Sequence, residues 1–255
     1  MSLRNAYDAS AAVLRRFGIS PDTYAVVREV EQLREYWRPQ KPCVVLLAES
    51  HVATKDEDFR VESDGAILRR HGLGDYPSHF VRFVYCLAAG ERGLLPAGAR
   101  HKSRSRWQFW RILWSCENDP TRRHFDLTRR ATPDSDTRIA KKVRLLLALR
   151  RRGIWLLDAS IIGINGLEPD LKKQVTRVSW DTYVGPRIAA LNPRPERIIV
   201  IGAAVADAVF GSRSREGVWS GIPYEVVNQP QGDRSKEGAR KTLTKIHMLT
   251  CACKQ

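Results

Sequence analysis

Four short, almost unbroken apolar runs do most to limit what this chain can become. They are Cys43-Val44-Val45-Leu46-Leu47-Ala48, Phe80-Val81-Arg82-Phe83-Val84-Tyr85-Cys86-Leu87, Ile154-Trp155-Leu156-Leu157-Asp158-Ala159 and Arg197-Ile198-Ile199-Val200-Ile201-Gly202. A strand with one face in water alternates apolar and polar residues, whereas runs of this kind suit strands covered on both faces. The intervals between them carry a helical period. Residues 1–40 read as helical, with Val26, Val27, Val30, Leu33 and Tyr36 at helical spacing and Pro39 and Pro42 ending the segment. Ile139 to Leu149 is amphipathic and closes on Arg150-Arg151-Arg152-Gly153, cations in a last turn with a glycine beyond it. A helix over about 180–191 precedes the fourth run. A candidate fifth run, Tyr224-Glu225-Val226-Val227, comes before a helix starting near Ser235.

Strands alternating with helices predict an α/β fold, a three-layer α/β/α sandwich around a central, mostly parallel four-stranded sheet. No Pro/Gly/Ser-rich linker divides the chain and no repeat recurs, so one domain over 1–255 is expected. Residues 1–40 would be a helical extension and 100–137 a basic insertion. Within that insertion Trp107, Trp110 and Trp114 share one helical face, a pattern of core packing more than of base stacking.

Charge narrows the partners. The chain has 43 Lys+Arg against 28 Asp+Glu, a net +15. Arg100 to Gly153 holds 16 Lys+Arg and 5 Asp+Glu, a surplus of 11, and a second basic stretch begins at Arg234. Such a field does nothing for a small neutral metabolite, but it attracts polyanions, because neutralised phosphates release counterions. No apolar run is long enough to span a bilayer, and the first residues lack the apolar stretch of a signal peptide. Five cysteines, an odd number, argue against a disulfide scaffold. The expectation is a cytoplasmic, nucleoid-associated monomer with nucleic acid as its partner and no membrane contact.

Ligands of an open parallel sheet bind beyond the carboxyl ends of its strands. Those ends read Ala48-Glu49-Ser50-His51-Val52, Asp158-Ala159-Ser160, Gly202-Ala203-Ala204 and Asn228-Gln229-Pro230-Gln231-Gly232-Asp233. None is a phosphate loop or a dinucleotide fingerprint. Metal-ligand spacing is missing too, since Cys251-Ala252-Cys253 has only His247 near it. No metal and no cofactor are expected.

Together these segments resemble the uracil-DNA glycosylases. Arg152 to Ser160 is similar to the family's glycine followed by an apolar strand that ends in a base-reading Asn. Ser179-Trp180-Asp181-Thr182-Tyr183 resembles its tryptophan-led helix, and Arg197 to Gly202 its next strand and Gly-Ala turn. Val44 to His51 resembles the water-activating motif, which in some branches reads Gly-Glu-Ala-Pro-Gly. Asn228-Gln229-Pro230-Gln231 falls where the family has its His-Pro-Ser loop. The resemblance spans about residues 42–245, and it has departures: Ser50 stands for a catalytic Asp, Val52 for a methyl-excluding Tyr, Gln229 or Asn228 for the His, and Asp158 for the Asn. The cysteine pattern of the iron–sulfur branches is absent, the first cysteine being Cys43.

The resemblance implies hydrolysis of the N-glycosidic bond of uracil, or another deaminated base, in DNA. The nucleotide is flipped out, a water attacks an oxocarbenium-like sugar, and the base leaves as an anion. In that scheme Glu49, Ser50 and His51 are catalytic, with Glu49 positioning the water and His51 stabilising the leaving oxyanion. Asp158 reads the base edge: ionised, it accepts from N3–H of uracil but repels O4, whereas protonated, in a desolvated pocket, it both donates and accepts. Phe59 stacks on the base, Val52 leaves its 5-position uncrowded, and Asn228, Gln229, Gln231 and Arg234 lie against the DNA. The alternative is a non-catalytic nucleic-acid-binding module on the same scaffold, favoured by Ser50 and Gln229. A hydrolase for free nucleosides fits the fold but leaves the charge unexplained.

Overall fold

β1 (Val44–Ala48) is buried at every position, as its sequence demands. The computed structural model describes residues 1–96, 107–211, 214–230 and 235–251. β2 (Ile154–Asp158) and β3 (Arg197–Ile201) flank β1, both parallel to it. β4 (Glu216–Trp219) and β5 (Ile222–Val227) form a hairpin, with β5 parallel to β3 and β4 antiparallel at the edge. The order is β2-β1-β3-β5-β4. The sheet therefore has five strands, not the expected four. β4 was hidden from a search for apolar runs because its side chains alternate between exposed and half-buried. Its signal is the turn instead: Ser220 and Gly221 both have positive φ, 50° and 79°, the conformation of a tight two-residue hairpin.

Along the chain the helices are α1 (Leu3–Arg16), α2 (Tyr24–Tyr36), the short α3 (Asp56–Phe59) and α4 (Gly65–Arg70), α5 (Trp107–Glu117), α6 (Ser135–Arg151), α7 (Pro169–Ser179), α8 (Gly185–Ala189), α9 (Ala203–Phe210) and α10 (Lys236–Cys251). The pleat of β1 divides the core. Val44, Leu46 and Ala48 join a cluster with Ile112, Leu113, Ile139, Leu146 and Ile246 from α5, α6 and α10. Val45 and Leu47 join the opposite cluster with Leu14, Val175, Ile188 and Val205 from α1, α7, α8 and α9. This is the expected three-layer arrangement. α2 supplies Val26, Val30 and Leu33 to the first cluster and Val27 to the second, so residues 1–40 take part in both layers. Trp110 and Trp114 are buried core residues; the Trp107 side chain lies outside the described residues.

The run Phe80–Leu87 is not a strand. It is an irregular buried segment leading into a single 3-10 turn at Leu87–Ala89. An apolar run reports burial, not conformation, and here side chains satisfy the backbone that a ladder would otherwise pair. Arg82 N–H donates to Thr54 Oγ1 at 2.8 Å and Leu87 N–H to Tyr76 Oη at 2.9 Å, while Tyr76 Oη donates to the Tyr85 carbonyl. Tyr85 Oη in turn accepts from Leu156 N–H at 3.0 Å. The segment thus lies against the edge strand β2 and takes up one of the N–H groups its open side presents.

Two local features fix the ends of α6. Asp134 caps it by accepting from Thr137 N–H at 2.7 Å. Gly153 ends it with φ 72°, and an added Cβ there would fall 2.7 Å from the Lys41 carbonyl. Among the described residues no helix is long and apolar enough to cross a membrane.

Candidate functional site

β1 and β2 run parallel with Ala48 opposite Asp158, so the segments following them leave the sheet at one rim. They stay tied just beyond it, where Ser160 N–H donates to the Glu49 carbonyl at 2.9 Å. His51 turns inward and is 3% exposed. Its Nε2 lies 3.0 Å from Asp22 Oδ2, and Asp22 comes from the connection between α1 and α2. The same carboxylate accepts from Thr54 N–H at 2.9 Å and from Gly163 N–H at 2.8 Å. One buried Asp therefore holds three chain segments around one imidazole. Burial alone would raise the Asp22 pKa; the hydrogen bond and charge of His51, with the two amides, outweigh it and hold the carboxyl below its ordinary range.

With Nε2 directed at a carboxylate, Nδ1 is the free face of the ring. It is buried, has no hydrogen-bond partner, and lies 3.9 Å from Asp158 Oδ2. Asp158 is itself buried and engaged: its Oδ2 accepts from Arg34 Nη2 at 2.6 Å. Arg34, 1% exposed, also pairs with Glu31, which Arg187 grips from its other side at 2.5 Å. Burial works against charge in both Glu31 and Arg34, but the facing groups prevail, so the Glu31 pKa is lowered and that of Arg34 raised. A chain of alternating charges thus runs from Arg187 through Glu31 and Arg34 to Asp158. Phe83 packs between the parts, its ring 6.5 Å from that of His51 and beneath the Arg34 guanidinium at 5.0 Å.

A cavity of about 30 Å³ opens here, lined by Ser50, His51, Val52, Phe83, Phe109 and Asp158 among others. That is room for a water or two; pockets for organic ligands are at least tenfold larger. The expected slot for a whole pyrimidine is filled by neighbouring side chains. Of the residues singled out in the sequence, Ser50, His51, Val52 and Asp158 converge on this cavity. Ser50 Oγ also accepts from Ile164 N–H at 3.3 Å.

The others lie elsewhere. Glu49 turns away, part-exposed, with its Oε2 3.6 Å from Lys172 Nζ of α7. Phe59 stacks on His79 with ring centroids 4.8 Å apart. Asn228 is exposed and accepts from Arg215 Nη1 at 3.4 Å. Gln229 lies over the Gly202 turn at the end of β3, where a Cβ on Gly202 would come within 3.3 Å of its Nε2. Gln231 and Arg234 lie outside the described residues.

Asp22, Arg34 and Phe83 escaped the sequence reading. Arg34 carried a signal: it sits seven residues after Val27 and four after Val30, on the buried face of α2, where a charge demands a buried partner. Asp22, in a connection 29 residues before His51, carried none. Among the described residues no group of three His, Cys, Asp or Glu side chains is placed to hold a metal ion. No protein-family model matches the chain, and no characterised protein matches its sequence.

Proposed function

We propose that this chain is an N-glycosyl hydrolase acting on uracil or another deaminated base in DNA, with His51 as the water-positioning base in place of Glu49. The observation that carries this reading is the buried Asp22–His51 pair, whose free Nδ1 lies 3.9 Å from Asp158 where both line a water-sized cavity at the carboxyl rim. A carboxylate that orients an imidazole whose other nitrogen is free is the arrangement general-base catalysis requires. A water in that cavity, against both Nδ1 and Asp158, gives its proton to the ring as it attacks the sugar. The carboxylates on either side stabilise the positive charge that develops there. The parallel order of β1, β2, β3 and β5, with all four carboxyl ends on one rim, supports the sequence resemblance.

For a flipped base to reach this water, the wall formed by Phe109, Val52 and Arg82 has to swing outward. DNA supplies the partner for the net +15, and the protein acts as a monomer in the nucleoid. The small cavity also favours the second reading, a DNA-binding module without chemistry. One experiment separates them. Fluorescence anisotropy measures binding to oligonucleotides with and without uracil, and alkaline cleavage of the same strands measures base release. Binding with release supports the hydrolase; binding without release, in single and double strands alike, leaves the module.

A further inference from the structure

A second concave site lies at the opposite, amino-terminal rim of the sheet, where Cys43 leads into β1 and Gly153 into β2. It is a cleft of about 1000 Å³, with Lys41, Arg150, Arg151, Arg152, His247 and Cys251 on its walls. Its carboxylate, Glu117, is taken by Arg152 at 2.8 Å. Lys41, Arg150 and Arg151 are exposed and form no ion pair with any described residue. The cleft is therefore a concave, uncompensated cationic surface, and such a surface concentrates anions.

The cleft also contains a nucleophile with a base beside it. Cys251 Sγ lies 3.4 Å from His247 Nε2 and 3.8 Å from Nδ1. His247 Nδ1 is 2.9 Å from the Ser115 carbonyl oxygen. A carbonyl only accepts, so Nδ1 carries the hydrogen and Nε2, the ring nitrogen nearer the thiol, is left unprotonated. Nucleophile, base and orienting group thus lie within contact of one another, the three parts a reactive cysteine uses. The other described cysteines differ. Cys43, Cys86 and Cys116 are buried, and burial pushes the Cys116 thiol up to about 12, which keeps it protonated and inert.

We infer that Cys251 is a reactive-thiol site served by His247, and that the cationic cleft selects anionic low-mass disulfides, glutathione disulfide being the type. His247 Nε2 takes the thiol proton as Cys251 Sγ attacks one sulfur of the disulfide. The new S–S bond forms as the old one breaks, and the released thiolate takes the proton back from the imidazolium. Cys251 is oxidised to a mixed disulfide, and half of the incoming disulfide is reduced to a thiol. This site stands apart from the carboxyl-rim cavity and does not depend on the glycosylase reading.

The test follows thiol reaction in the folded chain on a Cys253→Ser background, since Cys253 lies outside the described residues. Two probes are compared: the dianionic dithiobis-nitrobenzoate and the neutral dithiodipyridine. One fast thiol is expected, lost in Cys251→Ser and slowed toward both probes in His247→Gln. The exposed pair Arg150→Ser/Arg151→Ser slows the anionic probe roughly tenfold and leaves the neutral one unchanged; added salt does the same. Mass spectrometry after exposure to glutathione disulfide finds the adduct on Cys251. A fast phase that survives Cys251→Ser, rates indifferent to His247→Gln, or an arginine effect equal for both probes overturns the inference.

Discussion

Removing Arg34 tests whether the buried charges at the carboxyl rim form one system. In Arg34→Met a side chain of similar reach, apolar and flexible, replaces a guanidinium that is 1% exposed and sits 2.6 Å from Asp158. Glu31 keeps Arg187 at 2.5 Å, so the group left uncompensated is Asp158, 2% exposed. Breaking one side of such a buried pair costs about 3–5 kcal/mol. At about 2–4 °C per kcal/mol for a chain of this size, the melting temperature falls by roughly 6–20 °C. Neutralising the orphan in Arg34→Met/Asp158→Asn restores part of that loss, giving a coupling of about 1–3 kcal/mol in a double-mutant cycle. Urea and thermal melts followed by circular dichroism give all four stabilities. A loss under about 1 kcal/mol in Arg34→Met, or strictly additive single variants, would refute the reasoning, because it would mean that Asp158 does not depend on Arg34.

Three other perturbations probe the same scaffold. In Gly163→Ala the new Cβ would lie 2.5 Å from Ala53 N and 2.9 Å from Asp22 Oδ2, both held in place, so overpacking costs about 1–3 kcal/mol; an unchanged urea midpoint contradicts this. Glu91→Gln removes the carboxylate that Arg138 and Lys142 reach at 2.7 and 2.6 Å, at a cost of about 3–5 kcal/mol near neutrality. Burial already lowers the Lys142 pKa, with Glu91 pulling it back. Without Glu91 the folded chain loses that proton first while the unfolded chain keeps it, so the deficit should shrink as pH rises, and a constant deficit in melts counts against it. Asp22 supplies a pH signature of the opposite kind. Its folded pKa lies below the ordinary 3.8, so the unfolded chain binds protons first as pH falls; its contribution is whole above 3.8 and lost below. Asp22→Asn should therefore be less stable than the parent at pH 6, with the gap closing toward pH 3; a gap that widens in acid would be inconsistent with an ionised Asp22.

Much of the architecture was written in the apolar runs. Those that became β1, β2 and β3 are buried on both faces because helices cover both, and a run with that environment has few other conformations open to it. Phe80–Leu87 had the same composition and a different outcome, since the Thr54 and Tyr76 hydroxyls satisfy part of its backbone, and those partners come from outside the run. β4 was lost for the opposite reason, a half-exposed edge strand having no apolar run to find. At the site, the strand-end rule brought His51 and Asp158 to one rim. Which carboxylate serves His51 was illegible, because Asp22 belongs to a connection whose position is fixed only by packing α1 and α2 on the sheet. Glu49 took its assignment from a motif position; the structure turns it outward to Lys172.

Single-turnover release of uracil from a DNA oligonucleotide, compared across four proteins, bears most directly on the proposed chemistry. The parent should release the base. Asp22→Asn and His51→Gln should each slow release by about 10²–10⁴-fold while still binding the strand, and Glu49→Gln should slow it less than either. A folded parent that binds the strand and releases no base, or a His51→Gln variant as fast as its parent, contradicts the account.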